Sequence, residues 1–466
     1  MKRRAFLPWL PALAAGIVLS ACSGGSPSLG KVSPLLPYAH KAGGSSPIQH
    51  VVILIQENRT FNNLFATFPG AVGTTTGYER VGSGKKAKTV PITLAEVNLE
   101  DKKDLNHLYV SYMTAYRQGN MDAFNLIKFQ TNNKPEGKLP YQYVNPSQIQ
   151  EYWTLAQSYG LADEMFQTQG SGSFTAHQDL IRGGTAIDAT DSLIDDPTSA
   201  AAWGCDSPPG TVTSLITTAG QFEAGKGPLP CTTDFPGSGS SYQTLADLLD
   251  ANSISWKYYA PKFVKNTSSA LWNAFDVIAH VRNGSEWGTN VSFPQTNILK
   301  DISKNQLPAV SWVIPSSTDS DHPGYSKDTG PSWVASVVNA IGKSSAWNST
   351  AVIVLWDDWG GFYDPVAPPP LDNQGGPGFR VPMIVISPYV PAGEISNTTY
   401  EFGGILAYIE NNWGLTCLGT TDCGATSIAD MFNYGQHPRK YKTVKTKYPA
   451  SYFLHEPPSN LPVDTQ

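Results

Sequence analysis

Four runs of apolar, mostly β-branched residues end abruptly in polar clusters, and no other feature of the chain limits its fold as strongly. His50-Val-Val-Ile-Leu-Ile55 leads into Gln56-Glu57-Asn58-Arg59, and Pro308-Ala-Val-Ser-Trp-Val-Ile-Pro315 leads into Ser316-Ser-Thr-Asp319-Ser-Asp321-His322. Ala351-Val-Ile-Val-Leu-Trp356 leads into Asp357-Asp358-Trp359-Gly360-Gly361, and Arg380-Val-Pro-Met-Ile-Val-Ile386 into Ser387-Pro388. Continuous runs of this length, without apolar–polar alternation, read as parallel strands buried on both faces. Helical patterns lie between them, such as Trp333 to Gly342 and Phe402 to Asn412. The alternation predicts an α/β fold with a mostly parallel sheet and helices on both faces. In such sheets ligands bind beyond the carboxyl ends of the strands. Three of the four runs deliver acidic or imidazole groups to that edge.

The N-terminus bears on compartment. Lys2, Arg3 and Arg4 precede an apolar stretch from Phe6 to Val18, which ends in Leu19-Ser20-Ala21-Cys22. A short apolar region closed by small residues reads as an export signal; it is too short, and too broken by Pro8 and Pro11, to span a bilayer. Leu-Ser-Ala-Cys resembles the lipobox of bacterial lipoproteins, which implies lipidation of Cys22 and a membrane anchor at the cell envelope, with a plain cleaved signal and secretion as the alternative. Arg3-Arg4-Ala5-Phe6-Leu7 is similar to a twin-arginine signal. Residues 23–46, rich in Gly, Ser and Pro, read as a tether. The remainder, 47–466, is too long for one small core, so one large domain with insertions, or a main domain with a cap, is expected.

Residues 204–239 look like a turn-rich surface insertion. Residues 241–299, with Trp256, Tyr258, Tyr259, Trp272 and Trp287, are a candidate cap, so that insertion and cap together fall around 204–300. The net charge is −6 without a basic run, which argues against nucleic acid as a partner. With Cys22 assigned to lipid, four cysteines remain; Cys205–Cys231 and Cys417–Cys423 are the expected local disulfides, zinc ligation being the competing reading.

Glu57, Asn58, Asp357 and Asp358 are hard oxygen donors of the type that divalent cations favour. Taken singly, an Asp-Asp pair also fits a solvated turn, and Glu57-Asn58-Arg59 fits a helix start with a surface ion pair. Gln56-Glu57-Asn58-Arg59-Thr60-Phe61-Asn62 resembles the Glu-Asn-Arg-Ser-Phe-Asp signature of the bacterial phospholipase C and acid phosphatase superfamily. Trp356-Asp357-Asp358-Trp359-Gly360-Gly361-Phe362-Tyr363-Asp364 resembles its second metal motif, Gly172-Ser173-Phe174-Thr175-Ala176-His177-Gln178 its nucleophile segment, and Asp321-His322-Pro323 its His-Pro motif. Arg380-Val-Pro through Tyr389 is similar to a downstream strand of the family. The motifs fall in family order between about Pro47 and Leu415.

That resemblance implies an alkaline-phosphatase-like core and a metal-dependent phosphoesterase. Glu57, Asn58, Asp357 and Asp358 would hold one divalent cation; calcium, magnesium, manganese and zinc all remain open. Ser173 would be the nucleophile, with Ser171 and Thr175 as alternatives, and a phosphoserine would form. His107, in Asp104-Leu-Asn-His107, and His322 would contact the phosphoryl group or protonate the leaving oxygen. His177, one helical turn from Ser173, has either an open role or a packing one. Three places depart from the family: Thr175-Ala176-His177-Gln178 follows the serine where Pro-Asn and then Arg or His are usual, Pro365 stands where a His is usual, and Asn62 where an Asp is common. The implied substrate is a phosphate ester, either a phospholipid-type diester or, for an acid phosphatase, a monoester. Trp256 and Tyr259 either hold a choline-like head group by cation–π contact or are ordinary packing. The alternative of another class is a non-catalytic surface-binding lipoprotein on the same scaffold.

Overall fold

The computed structural model describes residues 46–100, 102–199, 203–237, 242–262 and 273–459. The export signal, Cys22 and nearly all of the expected tether lie outside these residues, as does Trp272. Among the described residues no helix is long and apolar enough to cross a membrane.

The core is an eight-stranded sheet. In chain order its strands are β1 (His50–Gln56), β2 (Gly160–Ala162), β3 (Trp256–Tyr259), β4 (Val291–Ser292), β5 (Val310–Val313), β6 (Thr350–Trp356), β7 (Met383–Ile386) and β8 (Glu394–Ser396). Their spatial order is β4-β3-β5-β1-β6-β7-β2-β8. All pairings are parallel except those of β7, which runs antiparallel to β6 on one side and to β2 on the other. The expectation of a parallel strand at 380–386 is therefore corrected. An unbroken apolar run reports burial on both faces, which β7 has, and carries no information about direction. The reversal puts Arg380, just before β7, at the edge where β1 and β6 end.

Helices cover both faces. Trp312 of β5 is in register with Ile53 of β1, which pairs with Ile353 of β6. Trp356 is three residues beyond Ile353, so the two indoles point to opposite faces. The Trp312 Nε1–H donates to Leu180 O of helix Ser173–Arg182, at 3.1 Å. The Trp356 ring meets Tyr152 of helix Gln150–Ser158, with centroids 4.9 Å apart. Helix Gly330–Gly342, joining β5 to β6, packs on the second of these helices through Ser332 Oγ, which donates to Glu151 Oε1 at 2.8 Å.

The stretch considered as a cap supplies the sheet instead. Trp256, Tyr258 and Tyr259 are buried in β3, Trp256 and Tyr258 against Phe275. They are core aromatics, so the packing alternative holds. The 204–239 stretch carries two short strands, Ser214–Thr217 and Phe222–Glu223; the first pairs antiparallel with Asp191–Ile194 on one side and with the second on the other. Its turn-forming residues hid strands this short. Both expected disulfides are present, Cys205–Cys231 and Cys417–Cys423.

An internal ion pair ties this frame together. Arg380 and Asp364 are fully buried; Arg380 Nε donates to Asp364 Oδ1 at 2.9 Å and Nη2 to Oδ2 at 3.1 Å. Arg380 also donates to Asp163 O at 2.7 Å and Val72 O at 3.0 Å. Asp364 in turn accepts the Asn62 N–H, in the short helix Phe61–Phe65 that follows β1. Removing one partner strands the other as a buried charge, which costs far more than the pair itself contributes. Asp364→Ala is expected to destabilise the protein by about 3–5 kcal/mol in urea unfolding, with Asp364→Ala/Arg380→Met recovering part of the loss. A single-variant loss below about 1 kcal/mol would contradict the assignment.

Candidate active site

The side chains beyond the strand tips follow from the register. Gln56 pairs with Trp356, so Glu57 and Asp357 are the next residues on neighbouring strands. Gln56 Nε2 donates to Tyr152 Oη, on the face of helix Gln150–Ser158. Glu57 therefore turns to the opposite face, where helix Ser173–Arg182 lies. Beyond the ladder, Asp357 N donates to Gln56 O at 2.9 Å and Asn58 N to Asp357 Oδ1 at 2.9 Å. Asn58 occupies the left-handed region, φ 56°, which Asn tolerates better than most residues. Gly360 and Gly361, with φ of 58° and 77°, let the second loop close on the first. A Cβ on Gly360 would stand 2.1 Å from Asn58 O, and one on Gly361 2.5 Å from Leu105 Cβ. The Gly-Gly after Asp358 is thus a close-approach requirement.

Ser173 is the first residue of its helix, at the end where N–H groups point outward and negative charge is favoured. Its Oγ–H donates to Asp358 Oδ2 at 2.9 Å and lies 3.4 Å from Asn58 Oδ1. The alternatives are engaged elsewhere: Ser171 Oγ donates to Asp195 Oδ1 and Thr175 Oγ1 to Gly172 O. One turn on, His177 Nε2 is 3.0 Å from Glu57 Oε1 and 3.6 Å from Asp357 Oδ2. Glu57, Asn58, His107, Ser173, Asp357 and Asp358 are wholly buried and His177 is 2% exposed.

Glu57, Asp357 and His177 each offer one ligand atom within 4.8 Å of the others, all buried. His177 is the member that sequence reasoning left without a role; its i+4 spacing from Ser173 was the available clue. Asp357 Oδ2 is buried without a hydrogen-bond partner. Burial, and then the charge of Glu57, push the Asp357 carboxyl up to about 8. Burial, and then Asp357, raise Asp358 well above the carboxylate range, while burial lowers His177. Desolvated acids clustered this way favour the neutral form, and a divalent cation among them would reverse that preference. The donor chemistry and the unsatisfied Asp357 oxygen fit such a cation. Cys417, Asp422 and Cys423 also cluster, but both sulfurs are committed to a disulfide.

The remaining expected residues have distinct settings. Asp358 faces the serine side, with Oδ1 on the Gly360 N–H at 2.7 Å and Oδ2 3.6 Å from His107 Nε2. His107 Nδ1 bonds Leu105 O at 2.7 Å, which places the proton on Nδ1 and leaves Nε2 to accept from Asn58 Nδ2 at 3.0 Å. This bond aims Asn58 Oδ1 at Ser173. His322 bonds Pro323 O through Nδ1 at 2.7 Å, and its ring centroid is 4.6 Å from that of Tyr325. Its loop docks on the site by the Glu57 N–H, which donates to Ser320 O at 2.8 Å.

Arg59 and Asp321 hold that loop. The Arg59 Nε–H and Nη2–H both donate to Asp321 O, at 2.9 and 2.8 Å. Asp321 Oδ2 accepts from Tyr152 Oη at 2.7 Å and Trp356 Nε1 at 3.2 Å, and burial pushes the carboxyl up to about 6. Arg59 is fully buried, so the surface ion pair that its sequence context allowed is replaced by an internal brace.

A family model described as Phosphoesterase family matches residues 48–416. Phospholipase C A of Mycobacterium tuberculosis is 25% identical, over 86% of this chain and 82% of the relative. Non-hemolytic phospholipase C of Burkholderia pseudomallei is 26% identical, over 88% of this chain and 61% of the relative. Non-specific phospholipase C6 of Arabidopsis thaliana is 24% identical, over 87% and 76%. Among solved structures, an alkaline phosphatase superfamily protein from Vibrio parahaemolyticus aligns over 80% of this chain and 68% of its own, with 12% identity and a TM-score of 0.35. With the matched span covering both strand tips and the serine helix, the chain belongs to the Phosphoesterase family and is a hydrolase of phosphoester bonds.

Proposed function

We propose that the protein is a phospholipase C-type phosphodiesterase that works through Ser173 beside a single divalent cation. The observation carrying this reading is the Ser173 hydroxyl at a helix N-terminus, held between Asp358 Oδ2 and Asn58 Oδ1. The names of the relatives support a phospholipid-type diester as substrate. The two disulfides support an oxidising compartment, consistent with export and an envelope anchor at Cys22.

Glu57, Asn58, Asp357 and Asp358 would hold the cation, which when bound offsets charge on the phosphoryl oxygens and favours ionised Ser173. Asp358, whose Oδ2 already accepts the Ser173 hydroxyl proton in a hydrogen bond, takes that proton as Oγ attacks phosphorus. The Oγ–P bond forms and the bond to the leaving oxygen breaks, with His322 in its imidazolium form, Nδ1–H held by Pro323 O, donating the Nε2 proton to that oxygen. The intermediate is Ser173 Oγ esterified to the phosphoryl head group; water attacks its phosphorus, the Oγ–P bond breaks, Ser173 regains a proton and the phosphorylated head group leaves. His107 acts by orienting the Asn58 amide. The helix N-terminus favours the negative charge that accumulates on the phosphoryl group.

Ser173→Ala is expected to lower turnover by roughly three orders of magnitude or more, with unchanged melting and cation stoichiometry. Acid quenching of the wild type during turnover should leave a Ser173 peptide carrying the phosphoryl group with its remaining ester substituent in mass spectrometry. Retained activity in the variant, or label on Ser171 or Thr175, would reassign the nucleophile.

Exhaustive chelation should abolish hydrolysis of a bis-aryl phosphate, and a divalent cation should restore it. A mono-aryl phosphate should be cleaved with a kcat/KM about tenfold lower or less. Activity that survives chelation would remove the cation from the reaction; the reverse substrate order would make the protein an acid phosphatase.

A further inference from the structure

We propose that His177 Nε2 is itself a ligand of the cation, so that the site is a mixed nitrogen–oxygen cage selecting zinc-class cations over calcium and magnesium. This rests on the reading of Glu57 and Asp357 as cation ligands. The argument is geometric. His177 Nε2 lies 3.0 Å from Glu57 Oε1 and 3.6 Å from Asp357 Oδ2. Two ligands each about 2.1 Å from one ion are separated by roughly 3.0 Å at a right angle and roughly 3.4 Å at the tetrahedral angle, so these separations let the three groups share an ion with little movement. The imidazole is 2% exposed, and its helix holds it there one turn from Ser173.

A further observation points the same way. Asp357 Oδ2, facing the ring, is buried and has no hydrogen-bond partner. In the arrangement described, Nε2–H donates to Glu57. When the cation binds, the proton leaves Nε2 for Nδ1, and the Nε2 lone pair coordinates. Imidazole suits zinc, copper, iron and nickel, whereas all-oxygen sites suit calcium, magnesium and manganese. An imidazole among the donors therefore biases the site toward the first group.

The test measures binding, using the full-length protein stripped of metal. Titration calorimetry with zinc and with calcium is compared for wild type, His177→Gln and Glu57→Gln, with melting curves as the fold control. His177→Gln should weaken zinc binding by about 100-fold while changing calcium affinity by no more than about threefold. Glu57→Gln should weaken both. If Glu57→Gln weakens both metals and His177→Gln changes neither, or weakens both equally, the histidine proposal is overturned and the oxygen site stands. If Glu57→Gln changes neither metal, the site and the proposal fall together. Should His177→Gln not fold, electron spin-echo spectra of copper-loaded His107→Gln protein decide the matter. Modulation from the remote imidazole nitrogen supports His177 as ligand, and its absence overturns the proposal.

Discussion

The site depends on one extension of strand pairing. The parallel ladder between β1 and β6 runs its full length, from His50 against Thr350 to Gln56 against Trp356. It then continues past regular structure through the bonds from Asp357 N to Gln56 O and from Asn58 N to Asp357 Oδ1. Two acidic side chains separated by 300 positions in sequence are thereby brought together on one face. Neither would choose this burial alone, because removing a carboxylate from water is expensive. The ladder and the core beneath it impose the arrangement, and the raised Asp357 and Asp358 carboxyls are its electrostatic signature.

Around this centre the protein uses guanidinium groups as braces. Arg59 fastens the His322 loop by its grip on Asp321 O and reaches Leu99 O as well. Arg380 fastens Asp364, Asp163 and Val72. Each spreads several donors over main-chain and side-chain acceptors from separate parts of the chain, a task suited to the planar fork of arginine and poorly served by lysine. Tyr152, Trp356 and Asp321 form a third tie, under the sheet, between a helix, a strand end and the histidine loop. Long family motifs thus contain both site-lining and bracing residues. In Glu57-Asn58-Arg59 the first two face the site and the third supports a loop; in Gly360-Gly361-Phe362-Tyr363-Asp364 the glycines admit a close approach and the aspartate anchors Arg380.

Much of this was legible before the fold was known. The four apolar runs marked β1, β5, β6 and β7, and their polar ends marked the edge that carries the site. The helical patterns read at 333–342 and 402–412 correspond to helices Gly330–Gly342 and Gly403–Trp413. Local cysteine spacing gave both disulfides. What escaped has physical reasons. The direction of β7 is invisible because burial on two faces is the same whichever way a strand runs. Trp256 to Tyr259 read as a cap because four residues are too few to display a period, and aromatics serve equally in a lid or a core. His177 had no role because only a folded helix shows which groups its ring will meet.

The sequence by itself determined which chemical groups stand at strand ends, since hydrophobic period and turn residues are local properties written in consecutive positions. It supplied Glu57, Asn58, Asp357 and Asp358 as oxygen donors and Ser173 as a hydroxyl. Only the tertiary structure decided how they divide the work: Asp358 beside Ser173, His177 beside Glu57 and Asp357, and His107 behind Asn58. Such pairings depend on strand register and on the rotation of one helix over a sheet. Both are set by packing between residues far apart in the chain, to which no local stretch of sequence has access.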